Sequence, residues 1–379
     1  MNDFFRNAYE YLVNRIESSL EGIDQDTIAN CLDLLDKGGK NHKRVIVDGA
    51  GRSLQSVLLL TDELENAYGI RVNQVSNANL RPLRKGDIFI VNSRSGSGKS
   101  LNNAKFAKKQ GLDVIFITGN EELKEEFDNV ILIKGISDRK SEYAPLGTEF
   151  EQASAVLCAC MGYAYTEPEM LNSFNLYLDI AIEGLKSNLE RLKEQEEVLE
   201  NFVVLINDYL ELNNNNVVYF KGVGINEIIE RVIAIRYGHL QKEGKKDINV
   251  IYEGHWKGRR KNDLVIIMSG SGETNQILQY TKQAGDVGMK IFTITSFEES
   301  SLARRNKWYR NYAGNLIIEG RPEMLSYYNK SSHNIADKFF PQFELNTYIT
   351  LDALLASIAK INDITEEDMK KTHRDKELE

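Results

Sequence analysis

Cysteine is scarce in this chain: three residues in 379, at Cys31, Cys158 and Cys160. Three thiols cannot build a disulfide framework. The Cys-x-Cys pair lies in the apolar run Ala153 to Tyr165 with no further ligand nearby, so it does not read as a metal site. All three read as buried thiols. Proline is also sparse, at five residues. Positive charge is in deficit, with 47 Lys and Arg against 56 Asp and Glu and a formal net charge of −9. That balance disfavours nucleic acid and anionic lipid as partners and confines any anion site to a local cluster. No stretch approaches the roughly 18 apolar residues of a membrane span. The opening MNDFFRNAYEYLVNRIESSLEG is acidic along its length and lacks the basic start and apolar centre of a signal peptide. The expectation is a cytoplasmic protein without a membrane partner.

What is present is an ordinary globular composition, 42% hydrophobic and 27% charged, with length enough for about two domains. The chain repeats itself. RVIVDGAGRS (44–53) has the shape of VVYFKGVGIN (217–226), a β-branched strand entering G-x-G and then a helix. RKGDIFIVNSRSGSGKS (84–100) matches RKNDLVIIMSGSGET (260–274), GLDVIFITGN (111–120) matches GMKIFTITSF (288–297), and EFEQASAVLCACMGY (149–163) matches QFELNTYITLDALLA (342–356). The offset grows from 173 through 176 and 177 to 193, so the insertions fall between blocks, where loops belong.

Within each copy, β-branched runs of about five to seven residues alternate with amphipathic stretches such as Leu101 to Gln110 and Asn275 to Ala284. This alternation predicts an α/β fold with a parallel sheet flanked by helices. The copies are placed at residues 1–168 and 169–379. The second opens on a long helical segment of about 169–212, rich in Glu, Leu and Lys, that serves as its leading helix.

In Ile266 to Thr274 an apolar strand stops at Ser-Gly-Ser-Gly and a helix follows. Hydroxyls and backbone N–H groups beside a helix N-terminus suit a phosphate, and glycine lets the backbone approach it. The first copy aligns Ser93, Arg94, Ser95, Gly96 and Ser97 with Ser269, Gly270, Ser271, Gly272 and Glu273, keeping the hydroxyls. Its GSGKS is not a nucleotide-binding P-loop, because Ser93 stands where the first glycine is required. Neither Gly49-Ala50-Gly51 nor Gly222-Val223-Gly224 completes a dinucleotide fingerprint, because Leu54 and Glu227 occupy the third glycine position.

GAGRS, SGSGET, APLGTEFE (144–151) and the tail TEEDMKKTHRDKELE (365–379) together resemble the sugar isomerase (SIS) domain family, in particular a tandem version of its 6-phospho-3-hexuloisomerase branch. The resemblance spans nearly the whole chain at one family copy per half. It implies two flavodoxin-like three-layer sandwiches with five-stranded parallel sheets, arranged as a pseudo-dimer, and a homodimer that gives four SIS domains. It implies a phosphorylated sugar as ligand, bound by Gly51, Arg52, Ser53, Ser93 and Ser95 in one copy and by Ser269, Gly270, Ser271 and Thr274 in the other. Glu151 or Glu344 would be the base of a ketose/aldose phosphate isomerase working through an enediolate. His373 of the tail would handle hydroxyl protons. A carboxylate partly withdrawn from water can perform such a proton transfer, so the resemblance implies no metal and no redox cofactor.

The halves depart from the pattern in complementary ways. Copy one keeps GAGRS and APLGTEFE but lacks the Glu-Thr of SGSGET and has no tail. Copy two keeps SGSGET and the tail, but GAGRS has become GVGIN, and SSHNIADKFFPQ, with His333, replaces APLGT. Composite sites are therefore expected, with Glu151 and Arg52 from one copy and His373 from the other. Two alternatives stand beside the isomerase: a sugar-phosphate-binding protein without turnover, and a ketosamine- or glucosamine-phosphate deglycase or isomerase.

Overall fold

The computed structural model describes residues 3–68, 70–134, 141–165, 167–211, 215–252, 258–306, 310–322, 324 and 340–374, apart from a few side chains that include that of His373. The chain opens with helices α1 (Asp3–Leu20) and α2 (Gln25–Lys40), α2 capped by the Asp24 carboxylate. A strand-helix alternation follows: β1 (Val45–Gly49), α3 (Arg52–Tyr68), β2 (Val72–Gln74), β3 (Ile88–Asn92), α4 (Gly98–Lys109), β4 (Asp113–Thr118), a short 3₁₀ turn and β5 (Asn129–Leu132). Then come α5 (Glu149–Ala164), α6 (Met170–Lys193) and α7 (Glu196–Tyr209). The pattern recurs as β6 (Val218–Lys221), α8 (Ile225–Tyr237), β7 (Val250–Ile251), β8 (Leu264–Met268), α9 (Asn275–Val287), β9 (Lys290–Thr295), α10 (Ser301–Asn306), β10 (Tyr312–Ile317), α11 (Gln342–Ile361) and α12 (Glu366–Arg374).

Two five-stranded parallel sheets result, ordered β2-β1-β3-β4-β5 and β7-β6-β8-β9-β10. Read from the first strand of each, both are 2-1-3-4-5, the flavodoxin-like order. All four matched blocks occupy equivalent elements: β1 with β6, β3 with β8, β4 with β9, and α5 with α11. The central strands IFIVN and LVIIM are buried at every position. This is why they read as unbroken apolar runs, since a parallel sheet covered on both faces has no polar side. One core gathers Ile46, Phe89, Val91, Phe116 and Val130, and the other Tyr219, Val265, Ile267, Ile291 and Leu302. Cys31, Cys158 and Cys160 are buried free thiols, and burial pushes the Cys31 thiol up to about 12.

The chain resolves into two compact units, one of residues 14–138 and 149–182, the other of 1–13, 139–148 and 183–379. Within the second of these units, buried polar contacts hold the chain start: the Tyr9 hydroxyl donates to the Leu185 carbonyl at 3.0 Å, and Asn188 donates to that same hydroxyl. Those contacts tie the first turns of α1 to the later unit.

The helical stretch expected over 169–212 is two helices, broken at Glu194 and Gln195. Gln195 leaves the helical pattern to pair with β10, accepting from Ile317 N–H and donating to Ile317 C=O, both at 2.8 Å. Its amide thereby supplies a partner to a sheet edge that would otherwise be open. No described helix is long and apolar enough to cross a membrane.

Candidate functional site

In an open α/β sheet, ligands gather at the carboxyl ends of the strands, and in both copies the motifs lie there. β1 ends at Gly49 and β6 at Lys221, and each turns through a glycine in the left-handed region, Gly51 (φ 53°) and Gly224 (φ 62°), before its helix begins. In the first copy that turn delivers Arg52 and Ser53 to Glu151 in the first turn of α5. The Arg52 guanidinium lies 3.6 Å from Glu151 Oε2, and the Ser53 hydroxyl donates to Oε1 at 3.4 Å. Ser56 and Ser154 donate to the Glu151 carbonyl, while Asn92, the last residue of β3, donates to the Ser53 carbonyl and the Ser154 hydroxyl. The carboxylate is thus met by Ser53 and Arg52 of α3, while its main chain is held by Ser56 and Ser154. Its Oε2 accepts no hydrogen bond from a described residue.

Beyond Asn92, Ser93 and Ser95 lie on the turn before α4. Gly96 (φ 57°) and Gly98 (φ 64°) bend it, and Thr118 and Asn120 donate to the carbonyls of Arg94 and Ser95. Ser95 and Ser97 share a hydrogen bond at 2.7 Å and are exposed at the start of the helix.

The second copy builds the same pair from other residues. Glu344, in the first turn of α11, receives Asn226 Nδ2 and Arg321 Nη2 on one oxygen, each at 2.8 Å. Asn226 is the positional counterpart of Ser53. Ile225 stands where Arg52 stands, and Arg321, on the segment after β10, supplies the guanidinium instead. The two carboxylates differ in access: the Glu151 side chain is 11% exposed, whereas that of Glu344 is fully buried.

The Ser269–Thr274 loop folds on its own backbone. Gly272 N–H donates to the Ser269 carbonyl, Ser296 N–H and the Thr295 hydroxyl donate to the Gly270 carbonyl, and Glu273 N–H donates to the Ser271 hydroxyl. Gly272 (φ 65°) sits so close to Ser300 that a Cβ would lie 2.3 Å from its hydroxyl oxygen. Arg321 Nε would lie 2.6 Å from a Cβ at Gly270. The guanidinium therefore spans the distance between the serine loop and Glu344, and the loop, Arg321 and Glu344 form one polar cluster in this unit.

Each sequence-derived candidate in 51–53, 93–95, 151, 269–274 and 344 lies at one of these two strand ends. The side chain of His373 lies outside the described residues, as does His333. The unforeseen residues are Asn92, Asn226 and Arg321. Asn226 carried a signal, the constant offset of 173 from Ser53, while Arg321 has no matched position. Among the described residues no group of three or more His, Cys, Asp or Glu side chains could hold a metal ion.

Comparisons place this geometry in a family. The model of the SIS domain matches residues 252–323, from β7 past β10. The 3-hexulose-6-phosphate isomerase of Methylomonas aminofaciens is 32% identical over 157 residues, 40% of this chain and 82% of that protein. A protein of Archaeoglobus fulgidus without assigned function is 30% identical over 156 residues, 41% of this chain and 78% of that one. The crystal structure of tagatose-6-phosphate ketose/aldose isomerase from Escherichia coli shares the fold over 96% of this chain and 95% of that one, with a TM-score of 0.64 at 15% identity. The chain belongs to the SIS domain family, and its two parallel five-stranded sheets fit two such domains.

Proposed function

We propose that this protein is a sugar-phosphate isomerase that moves a carbonyl between adjoining carbons of a hexulose or hexose 6-phosphate, with Glu151 as the base. The observation that carries this reading is the Glu151 carboxylate. It is anchored by Ser53 and Arg52 at the strand end, and its side chain keeps 11% of its surface exposed where that of Glu344 keeps none. The name of the Methylomonas relative supports a hexulose 6-phosphate as substrate class.

In this reading the phosphate rests on Ser93, Ser95 and the start of α4, where N–H groups and the helix dipole favour an anion. Glu151 takes the proton from the carbon beside the carbonyl, and the C–H electrons form the C=C of an enediolate. Arg52 supplies positive charge near the developing oxyanion. A proton from Glu151, exchanged with solvent in part of the turnovers, is delivered to the former carbonyl carbon, and the neighbouring oxygen becomes the new carbonyl. His373 is our candidate for the proton that passes between the two oxygens. In the second copy, Ser269, Gly270, Ser271 and Thr274 form the matching phosphate loop. There Glu344, closed in by Asn226 and Arg321, is the poorer base.

Gly272→Ala probes the second loop. A methyl group there meets Ser300 and forces a left-handed residue, so the loop must open, and phosphosugar affinity at this site is expected to fall roughly tenfold or more. Calorimetric titration of Glu151→Gln with and without Gly272→Ala checks it; unchanged affinity would remove this loop from the phosphate site. The function itself is tested by steady-state isomerisation of a panel of hexulose and hexose 6-phosphates. One substrate turning over well above the others is expected. Tight binding without turnover anywhere in the panel would instead favour a binding protein.

A further inference from the structure

The first copy has a second concavity at the opposite end of its sheet, where the strands begin. It encloses about 380 Å³ and is lined by six basic side chains, His42, Lys43, Arg44, Arg71, Arg81 and Arg84. Arg44 immediately precedes β1, Arg71 immediately precedes β2, and Arg81 and Arg84 lie on the connection into β3. Five residues of β1, roughly 17 Å at ~3.3 Å per residue, separate it from the GAGRS turn.

Arg44 is the structural member of the set. Its Nε donates to Asp87 at 3.1 Å, and an Nη donates to the Pro82 carbonyl at 2.7 Å, which fixes the connection that carries Arg81 and Arg84. Asp87 thus neutralises Arg44 and nothing else in the group. Lys43 Nζ reaches only the Lys85 carbonyl. Arg71, Arg81 and Arg84 form no ion pair with any described residue. Glu65 accepts from Val72 N–H and lines an adjoining hollow together with Arg44, Arg71 and Arg81, without forming an ion pair with them. Around one concavity, then, the cations exceed the acids in a chain whose net charge is −9. Such a cluster repels itself when empty and concentrates a positive potential in the concavity.

We propose that this recess is a binding site for a multiply phosphorylated small molecule, separate from the site built on Glu151. Arginine forks match phosphate oxygens two at a time. A single phosphate dianion leaves most of the group unneutralised, whereas two or more phosphates on one ligand match Lys43, Arg71, Arg81 and Arg84. The volume fits a compact ligand. A bounded concavity, as opposed to a basic stripe along an element, favours such a ligand over a nucleic acid strand.

The test is calorimetric titration of the full chain with pyrophosphate, ATP and orthophosphate at about 50 and 200 mM salt, where charge-driven binding is separated by its salt dependence. Pyrophosphate and ATP are expected to bind, more weakly at the higher salt, and orthophosphate roughly tenfold less tightly than either. Arg71→Ala with Arg84→Ala, two exposed positions whose side chains form no ion pair with a described residue, is expected to weaken binding roughly tenfold or more. Glu151→Gln, which disables the proposed base, is expected to bind both ligands as the wild type does. Absence of binding, binding untouched by the arginine pair, or displacement of ATP by a short duplex DNA of higher affinity would overturn the assignment.

Discussion

Replacing Glu151 by Gln is expected to lower kcat for sugar-phosphate isomerisation by roughly 100-fold to 10,000-fold, the range a positioned general base contributes. Glu344→Gln is expected to change kcat by less than about tenfold. The amide keeps the shape of the carboxylate and can still meet the Ser53 hydroxyl, so the loss reports proton transfer and not collapse of the site. The contrast rests on surroundings. Each carboxylate has one oxygen without a hydrogen-bond partner among the described residues, but the Glu151 side chain keeps a small opening to solvent, while Glu344 is sealed and its other oxygen is shared between Asn226 and Arg321. Steady-state kinetics with circular dichroism on each variant makes the comparison. Equal losses from the two changes would mean that the copies are equivalent bases.

The largest expected effect on stability belongs to a pair outside the site. Arg236 of α8 is fully buried, its Nε donates to Asp352 of α11 at 2.6 Å, and its two other nitrogens have no hydrogen-bond partner among the described residues. Asp352→Ala strands a guanidinium in the apolar packing between these helices. Removing one partner of a buried pair costs about 3–5 kcal/mol, because the remaining charge keeps its desolvation penalty without compensation. At about 2–4 °C per kcal/mol for a unit of this size, the unfolding midpoint is expected to fall by roughly 6–20 °C. Arg236→Met combined with Asp352→Leu removes both charges and is expected to recover most of that loss. Thermal unfolding followed by circular dichroism reads both outcomes. A cost below about 1 kcal/mol for Asp352→Ala would mean that water or another group reaches Arg236.

The α/β class, the two parallel sheets and the positions of the strand-end motifs were legible in the residue order. The central strands are covered on both faces and so appear as apolar blocks that align between the halves, as IFIVN does with LVIIM. The motif glycines mark turns that a Cβ would oppose. What could not be read depends on contacts made across the fold. β2 and β7, at three and two residues, are too short to leave a periodic signal. Gln195 interrupts a strongly helical sequence because its amide serves a strand more than a hundred positions away. Arg321 takes the place of Arg52 from a segment with no matched block. The basic recess was hidden because its members are scattered from His42 to Arg84 within an acidic chain.

The central claim is that Glu151 exchanges a carbon-bound proton of a phosphorylated sugar. Incubation of fructose 6-phosphate with the protein in deuterated water, followed by proton NMR, tests it without knowledge of the physiological direction. Deuterium entering at a carbon beside the carbonyl with the wild-type chain, and failing to enter with Glu151→Gln, is the expected result. Binding of the sugar phosphate with no exchange by the wild type, or exchange that survives in Glu151→Gln, would contradict it.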